Sequence, residues 1–189
     1  HLQKVLPAHL MQFPTEAPLS RLELPRFDAP LPTRWPFGTD VNVAELPIDH
    51  SVRAVPIPGG SEEAEKRLAH FIGKILPGYA ESRNEPELDG TSALSPYLHF
   101  GQLSSHQVFA KVVATEKWSV EQLGPSNGGA KEGWWKLSKH AEGYLDQLVT
   151  WRELAFNMTS HRPEGYRSLD ELPDYARETI RKHAADKRE

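Results

Sequence analysis

The chain contains no cysteine among its 189 residues. This absence excludes disulfide bonds, zinc sites built from thiolates, iron–sulfur clusters held by cysteine and cysteine nucleophiles. It fits a reducing compartment, and we expect a cytoplasmic protein.

Long apolar runs are also missing. No stretch of about 18 apolar residues is present, so we expect no membrane span. The N-terminal residues lack the apolar segment and cleavage site of a secretory signal peptide, so we expect no such signal. The composition, 38% hydrophobic and 25% charged, is that of a globular chain long enough to bury a sizeable core.

Basic residues are not in excess. The formal net charge is -4, from 22 lysines and arginines against 26 acidic residues. This balance argues against a protein whose whole surface attracts nucleic acid, although it leaves room for a local basic groove.

The common sequence motifs of metalloenzymes, serine hydrolases and P-loop proteins are absent as well. The nine histidines form no H-E-x-x-H or similar ligand step, so no metal site is predicted. Neither the G-x-S-x-G elbow nor the phosphate loop G-x-x-x-x-G-K-[ST] occurs. We therefore predict no catalytic acid, base or nucleophile.

Proline is concentrated in residues 1–60, and the stretch from Leu24 to Phe37 alone contains four. Prolines this dense remove backbone donors and favour an extended chain. A disordered tail is one interpretation. Apolar anchors such as Trp35 and Val43 favour the other, a linker that lies across a folded domain.

The pattern beyond residue 60 is helical, and no alternation typical of strands exceeds four residues, so the predicted fold class is all-α. Apolar spacing and caps predict these helices: Ser61 to Leu76, Pro96 to about Phe100, Ser104 to about Thr115, a turn at Ser119 to Leu123, a long central helix from Lys131 to Met158, and Leu169 to about Ala185. A short helix around Leu6 and Leu10 is also predicted. Pro77 and Gly78 are expected to end the first long helix and to leave Tyr79 outside it.

The most informative segment, Arg83 to Ser104, reads R-N-E-P-E-L-D-G-T-S-A-L-S-P-Y-L-H-F-G-Q-L-S. It places hydroxyls at Thr91, Ser92 and Ser95 after a hinge at Gly90, with Ser95 as the expected N-cap of a helix. Free backbone N–H groups and the positive end of a helix dipole suit phosphate. The same features are typical of a well-capped surface helix, so these residues alone leave both interpretations open.

A second segment, Tyr144 to Asn157, reads Y-L-D-Q-L-V-T-W-R-E-L-A-F-N. In a regular helix Tyr144, Gln147, Leu148 and Trp151 would share one face. Core packing accounts for Leu148 and Trp151. Gln147 is discordant, because an unsatisfied buried amide costs about 1–3 kcal/mol and must find a partner.

Together the two segments resemble the photolyase/cryptochrome family. In that family a tyrosine precedes R-[DN]-x-P and the run T-S-x-L-S-P-Y-L-x-F-G-x-[LI]-S, and a later segment reads [FW]-L-x-E-L-x-W-R-E. Tyr79, Arg83 and Pro86 match the first elements. One residue more separates Gln147 from the R-E pair than in the commonest photolyases, and this spacing is similar to class II cyclobutane-dimer photolyases. The resemblance covers roughly residues 55–160.

The resemblance implies a division into an interdomain linker, residues 1–60, and the first half of a helical FAD-binding domain, residues 61–189. We therefore expect the chain to be a fragment that is inactive by itself. The implied cofactor is FAD, and the implied activity is that of a deoxyribodipyrimidine photo-lyase, in which reduced FAD splits pyrimidine dimers by light-driven electron transfer. The implied partner is DNA containing such dimers, and we expect a monomer with no membrane partner.

The resemblance assigns two groups of site residues. Those assigned to the flavin are Tyr79, Thr91, Ser92, Ala93, Leu94, Ser95 and Tyr144. Those assigned to DNA are Arg83, Gln147, Trp151 and Arg152. In this scheme Arg83 contacts phosphate, Gln147 bonds the flipped pyrimidines and Trp151 stacks on them.

The residues by themselves allow simpler roles. Tyr79 fits a loop tyrosine packed on its neighbours, and Arg83 fits a solvated side chain near a turn. Arg152 beside Glu153 also predicts an internal ion pair.

Two positions depart from the family pattern. Ala93 stands where many photolyases have Arg or Asn, which removes one polar contact. Gln147 stands where cyclobutane-dimer enzymes have glutamate, and glutamine there is found in the six-four photolyase and cryptochrome branches. Two alternatives therefore stay open: a cryptochrome-like FAD photoreceptor for blue light, and a helical interaction module without a cofactor.

Overall fold

The computed structural model describes residues 2–14, 42–130 and 132–187, and every regular element in these ranges is helical. The α-helices are α1 (Leu2–Val5), α2 (Ser61–His70), α3 (Tyr79–Ser82), α4 (Ser95–His99), α5 (Ser105–Ala114), α6 (Lys139–Leu145), α7 (Arg152–His161) and α8 (Asp174–Lys182). The prediction of an all-α fold is confirmed for the part of the chain that is described. The proline-rich stretch from Leu24 to Phe37 lies outside it.

The first long helical segment runs further than predicted. Helix α2 passes into a π-helical turn, Phe71–Ile75, then a 3-10 turn, Leu76–Gly78, and then directly into α3. The expected end at Pro77 is wrong because proline occupies the start of the 3-10 turn, where its missing N–H disturbs no helical bond. Tyr79 is therefore the first residue of α3.

Two predicted caps differ in detail from the structure. Gly60, with φ of 103°, is the N-cap of α2 in place of Ser61. Ser104 caps α5 as predicted, since its hydroxyl accepts the N–H of Gln107 at 3.0 Å. The side chain of Gln107 does not complete the capping box but contacts Glu65 on α2. Helix α5 is thereby joined to α2.

The central helix starts later than predicted. Residues 132–138 are not helical, and α6 begins after Ser138, whose hydroxyl accepts the N–H of Ala141 at 3.3 Å. The carboxylate of Glu116 fixes this start by accepting both the N–H and the hydroxyl of Ser138, at 2.8 and 2.6 Å. Trp134 is buried but lies in this non-helical segment. Its spacing from the apolar residues of α6 therefore fits a helical pattern by coincidence.

The central helix changes its winding in the middle. Helix α6 is followed by a π-helical turn, Asp146–Trp151, and then by α7. A π-helical turn accommodates one residue more than an α-helical turn. It coincides with the segment in which the sequence resemblance indicated one additional residue between Gln147 and Glu153.

The C-terminal helix also begins later than predicted. Ser168 caps only a 3-10 turn, Leu169–Glu171, by accepting the N–H of Asp170 at 3.1 Å. Helix α8 starts after Pro173, because a proline ring is incompatible with the interior of a continuous helix. Three further 3-10 turns lie at Leu6–Ala8, Val43–Glu45 and Val120–Gln122, and a fourth at Gly165–Arg167. The turn at Val120–Gln122 confirms the helical turn predicted there.

One apolar core is shared by α2 to α6 and the segments between them. Its largest fully buried side chains are Phe71, Leu68, Leu94, Leu145, Val108 and Val112. Leu10 from the N-terminal segment is also buried against this core. Gln3 joins that segment to residues 127–130, since its amide donates to the carbonyl of Ala130 at 2.9 Å.

No helix of the described ranges combines the length and the apolar character that a membrane span requires.

Candidate functional site

A cleft of about 970 Å³ lies between α3, the loop before α4, and the central helix. Its walls are formed by Tyr79, Thr91, Ser92, Ala93, Ser95, Leu98, His99, Tyr144, Gln147, Leu148, Arg152, Ala155, Phe156 and Thr159. The two segments singled out in the sequence thus face each other across one cavity.

Most of the predicted site residues border this cleft, and three do not. Leu94 is completely buried beneath the loop, where it anchors the start of α4 in the core. Arg83 lies beside the cleft, with its Nη1 3.5 Å from the carbonyl of Gly143 and its guanidinium 5.9 Å from the centre of the Tyr79 ring. Trp151 lies outside the cleft wall and is 51% exposed.

Three aromatic rings form the base of the cleft. The rings of Tyr79 and Tyr144 meet edge to face, with centroids 5.3 Å apart and planes at 87°. Phe71 from the π-helical turn packs under both, at 4.5 Å from Tyr144 and 5.9 Å from Tyr79. Aromatic pairs in edge or offset geometry add about 0.5–1.5 kcal/mol each beyond their burial, so these contacts stabilise the base.

The phenol groups of the base are held in their neutral form. Burial raises the pKa of Tyr144 to about 12, while a hydrogen bond with Ser92 opposes that shift and nearby Tyr79 adds to it. Burial also raises the pKa of Tyr79, against the opposing charge of Arg83. Both phenols therefore offer neutral hydroxyl groups at physiological pH.

The loop before α4 is fixed at Gly90 by close packing. A Cβ atom on this residue would lie only 2.4 Å from the carbonyl oxygen of Ser82, at the end of α3. Gly90 is not one of the glycines with a positive φ. It therefore serves as a point of close backbone contact and not as the predicted hinge. Glycine is required here because two backbone segments touch.

The backbone of the loop turns sharply at Ala93. Its φ is 51°, a left-handed conformation that costs an L-residue roughly 1–2 kcal/mol. The hydroxyl of Ser92 supports this turn by accepting the N–H of Leu94 at 3.3 Å. The side chain that the family pattern has at this position is absent, and the cleft wall here consists of backbone and small side chains.

The N-terminus of α4 is built differently from the prediction. Its N-cap is Leu94, and Ser95 is the first helical residue, with no side chain capping the helix. Because Ser95 makes no capping bond, its exposed hydroxyl is available at the cleft wall. Ser92, three residues before Ser95, also borders the cleft.

The π-helical turn decides which side chains of the central helix reach the cleft. Tyr144 borders it before the turn, Gln147 and Leu148 within the turn, and Arg152 after it. In a regular helix Trp151, four residues after Gln147, would share that face. The wider turn rotates Trp151 away and brings Arg152, five residues after Gln147, to the cleft.

The outer wall of the cleft is formed by α7 and is open to solvent. Arg152 pairs with Glu153 at 2.9 Å, but the two side chains are 43% and 48% exposed, so the pair is solvated and the predicted internal ion pair is wrong in its burial. The guanidinium of Arg152 lies 4.7 Å from the centre of the Phe156 ring. Gln147 and Phe156 are both exposed. The amide of Gln147 is thus not a buried polar group in need of a partner.

The sequence analysis missed Arg67 on α2, which contacts the loop before α4. Its Nε donates to the carbonyl of Ser92 at 2.8 Å, and its Nη2 to that of Thr91 at 3.3 Å. The partners are 24 and 25 residues away along the chain, so helical spacing gives no sign of the contact. The sequence indicated only that an arginine lies at the edge of the apolar face of α2, which does not predict its partner.

The cleft offers hydroxyl and backbone donors at the loop before α4 and the guanidinium of Arg152 at the outer wall, with aromatic and aliphatic surface between them. These groups suit an elongated ligand that carries phosphate as well as flat apolar parts. Within residues 2–14, 42–130 and 132–187, no group of histidine and carboxylate side chains could hold a metal ion.

Comparison with known proteins gives relatives across the whole chain, although no family model matches it. The chain is 31% identical to a deoxyribodipyrimidine photo-lyase of Oryza sativa and 30% identical to one of Arabidopsis thaliana, in both cases over all of its length. It spans about one third of the length of each, 33% and 34%. A stretch of 68 residues, 36% of the chain and 13% of the relative, is 43% identical to cryptochrome-1 of Sinapis alba. The chain belongs to the photolyase/cryptochrome family.

Proposed function

We propose that this chain forms part of a deoxyribodipyrimidine photo-lyase and that its cleft binds FAD. The observation that carries the proposal is the meeting of the two family segments at one cleft of about 970 Å³. Relatives named deoxyribodipyrimidine photo-lyase, matched along the entire chain, support the same activity. When bound, reduced FAD supplies the light-excited electron that opens a pyrimidine dimer and takes the electron back afterwards.

In this proposal the loop before α4 holds the diphosphate of FAD. The hydroxyls of Thr91, Ser92 and Ser95 donate to the phosphate oxygens, together with backbone N–H groups of the loop. Hydrogen bonds to a charged group contribute about 1.5–3 kcal/mol each, so a few of them suffice for tight binding. Leu94 takes part by anchoring this loop from below.

The aromatic base contacts the flat part of FAD, and the central helix contacts DNA. Tyr79 and Tyr144 provide flat, neutral surface that excludes water. Gln147 and Arg152 lie at the open wall, where DNA would approach, and we assign them to the pyrimidine pair and to phosphate. The longer spacing around the π-helical turn supports a class II type of enzyme within the family.

Arg83 and Trp151 stay in the proposal as DNA contacts outside the cleft wall. Trp151 is 51% exposed, and Arg83 is partly buried but not enclosed. A stacked base contributes about 1–3 kcal/mol when it packs on an aromatic ring, and the exposed indole of Trp151 offers such a surface.

The test uses the gene product that carries this sequence, purified in the dark. We expect it to release FAD on denaturation. We also expect it to restore an oligonucleotide with one cyclobutane dimer under blue light but not in darkness. A second oligonucleotide with a six-four lesion, treated in the same way, identifies the lesion class. A protein without flavin and without repair of either lesion would overturn the proposal and would favour a helical interaction module.

A cryptochrome-like photoreceptor is the second candidate function. The 68-residue match to cryptochrome-1 of Sinapis alba favours it, as does the glutamine at position 147. Bound flavin with light-induced absorption changes, but without repair of either lesion, would select this candidate.

A further inference from the structure

Arg67 contacts the loop before α4 and does not itself border the cleft. Its side chain is 24% exposed, and it donates from Nε to the Ser92 carbonyl and from Nη2 to the Thr91 carbonyl. Its Nη2 also lies 3.6 Å from Oδ1 of Asp89. The carboxylate of Asp89 is 74% exposed, so this ion pair is solvated and weak. The two carbonyl contacts are therefore the main structural role of the guanidinium.

These contacts determine the orientation of two peptide groups. In a trans peptide the N–H of one residue points opposite to the carbonyl of the residue before it. No cis peptide bond occurs in the described chain. With the carbonyls of Thr91 and Ser92 turned toward Arg67, the N–H groups of Ser92 and Ala93 are turned to the opposite side.

The two N–H groups have no acceptor of their own. Neither donates a hydrogen bond to any described residue, whereas the next N–H, that of Leu94, is satisfied by the hydroxyl of Ser92. Ser92 and Ala93 both border the cleft. Ala93, which has the left-handed conformation, is the residue after Ser92, whose carbonyl accepts from Arg67. Arg67 thus helps to hold the loop in a conformation that leaves these two N–H groups without an acceptor among the described residues.

We propose that Arg67 is a positioning residue for the diphosphate of the flavin. It does not touch the ligand, but it turns the N–H groups of Ser92 and Ala93 toward the anionic part of the cleft. This inference rests on the proposed function, and it names a contribution that no motif residue supplies. Arginine suits the task because its fork of donors reaches two carbonyl oxygens at once, which a lysine ammonium does less well.

The test compares FAD with riboflavin, which lacks the phosphates, in the gene product that carries this sequence. Arg67→Met keeps the apolar stem and removes the donors. We expect FAD affinity to fall about 10- to 100-fold, since two charge-assisted contacts orient the loop, while riboflavin affinity is unchanged. Arg67→Lys should recover part of the FAD affinity. The matched control is Lys66→Met on the same helix, because Lys66 is 69% exposed and pairs with Glu63 at the surface. It should alter neither ligand.

The outcomes separate the possible failures. Equal losses for FAD and riboflavin would show that Arg67 merely supports the fold, and unchanged FAD affinity would show that the loop needs no such positioning. Either result overturns the inference and leaves the proposed function standing. If Arg67→Met does not fold, the ratio of FAD to riboflavin affinity in Arg67→Lys decides by the same criterion. Wild-type protein that binds no FAD would overturn the proposed function and this inference together.

Discussion

The indole nitrogen of Trp151 donates a hydrogen bond to Oδ2 of Asp146, which lies 3.1 Å away and five residues earlier. A step of five residues is the repeat of the π-helical turn that these two residues delimit. The bond spans the turn and holds the indole on its outer side. The same turn leaves Gln147 and Arg152 together at the cleft.

Replacing Trp151 tests whether the exposed indole binds DNA. Trp151→Ala should leave the melting temperature nearly unchanged, because a half-exposed side chain leaves no cavity. If the indole stacks on a flipped base, affinity for dimer-containing DNA falls by about 1–3 kcal/mol while flavin content is retained. Leu148→Ala is the control for burial, and it should cost about 2–5 kcal/mol of stability. A Trp151 variant that melts like the Leu148 variant would identify a core residue.

Gln147→Glu restores the residue that is usual in cyclobutane-dimer enzymes. Because Gln147 is exposed at the cleft, the carboxylate stays solvated and the free energy of unfolding should change by no more than about 0.5 kcal/mol. We expect faster light-driven repair of cyclobutane dimers, measured as the rate per flavin. A rate that follows only the folded fraction of the variant would remove Gln147 from the site.

Gly90→Ala tests the close contact that fixes the loop. The new Cβ would lie 2.4 Å from the carbonyl oxygen of Ser82, so the two segments must separate. We expect a loss of about 1–3 kcal/mol in the free energy of unfolding, as overpacking causes, together with weaker FAD binding. Gly143→Ala on α6 is the control: apart from the adjacent residues and the backbone of its own helix, no described atom would lie within 4 Å of its Cβ, and alanine in a helix should stabilise by about 0.5–1 kcal/mol. Equal stability of the two variants would contradict the packing described here.

The raised pKa of Tyr144 predicts a loss of stability in alkali. The folded state binds the phenolic proton more tightly than the unfolded state, whose pKa is near 10, and the folded value is about 12. The stabilisation is therefore complete below pH 10, and it declines as the pH rises to 12, by up to about 2–3 kcal/mol. Denaturant unfolding across this range measures it. Tyr144→Phe should flatten the decline, and an equally steep decline in that variant would assign the effect to other groups.

The sequence predicted the parts of the fold that local chemistry determines. Ser104 begins a helix because its hydroxyl accepts an N–H of the first turn, and the apolar spacing of Ala64, Leu68 and Phe71 matches the buried face of α2. It failed where tertiary packing decides. Trp134 has helical spacing but is buried in a loop, and Pro77 lies in a 3-10 turn within a continuous helical segment.

Most residues that border the cleft could be singled out from the sequence, but their arrangement could not. The hydroxyls at Thr91, Ser92 and Ser95 mark the loop in the sequence, and they do border the cleft. The rotation of Trp151 depends on a π-helical turn, which apolar spacing does not reveal. The support from Arg67 depends on a contact between segments far apart in the chain, which only the folded structure brings together.

The most direct test of the account is a titration of FAD into the gene product that carries this sequence and into its Ser92→Ala/Ser95→Ala variant. Ser95 makes no capping bond, but the hydroxyl of Ser92 accepts the N–H of Leu94, so the protein without ligand should lose about 1 kcal/mol of stability and stay folded. Loss of two hydroxyl contacts to phosphate, at about 1.5–3 kcal/mol each, should weaken FAD binding roughly 100- to 10,000-fold. Ser160→Ala on α7, away from the cleft wall, is the control and should bind as the wild type does. FAD affinity that is the same in wild type and double variant would contradict the assignment of this loop to the flavin diphosphate.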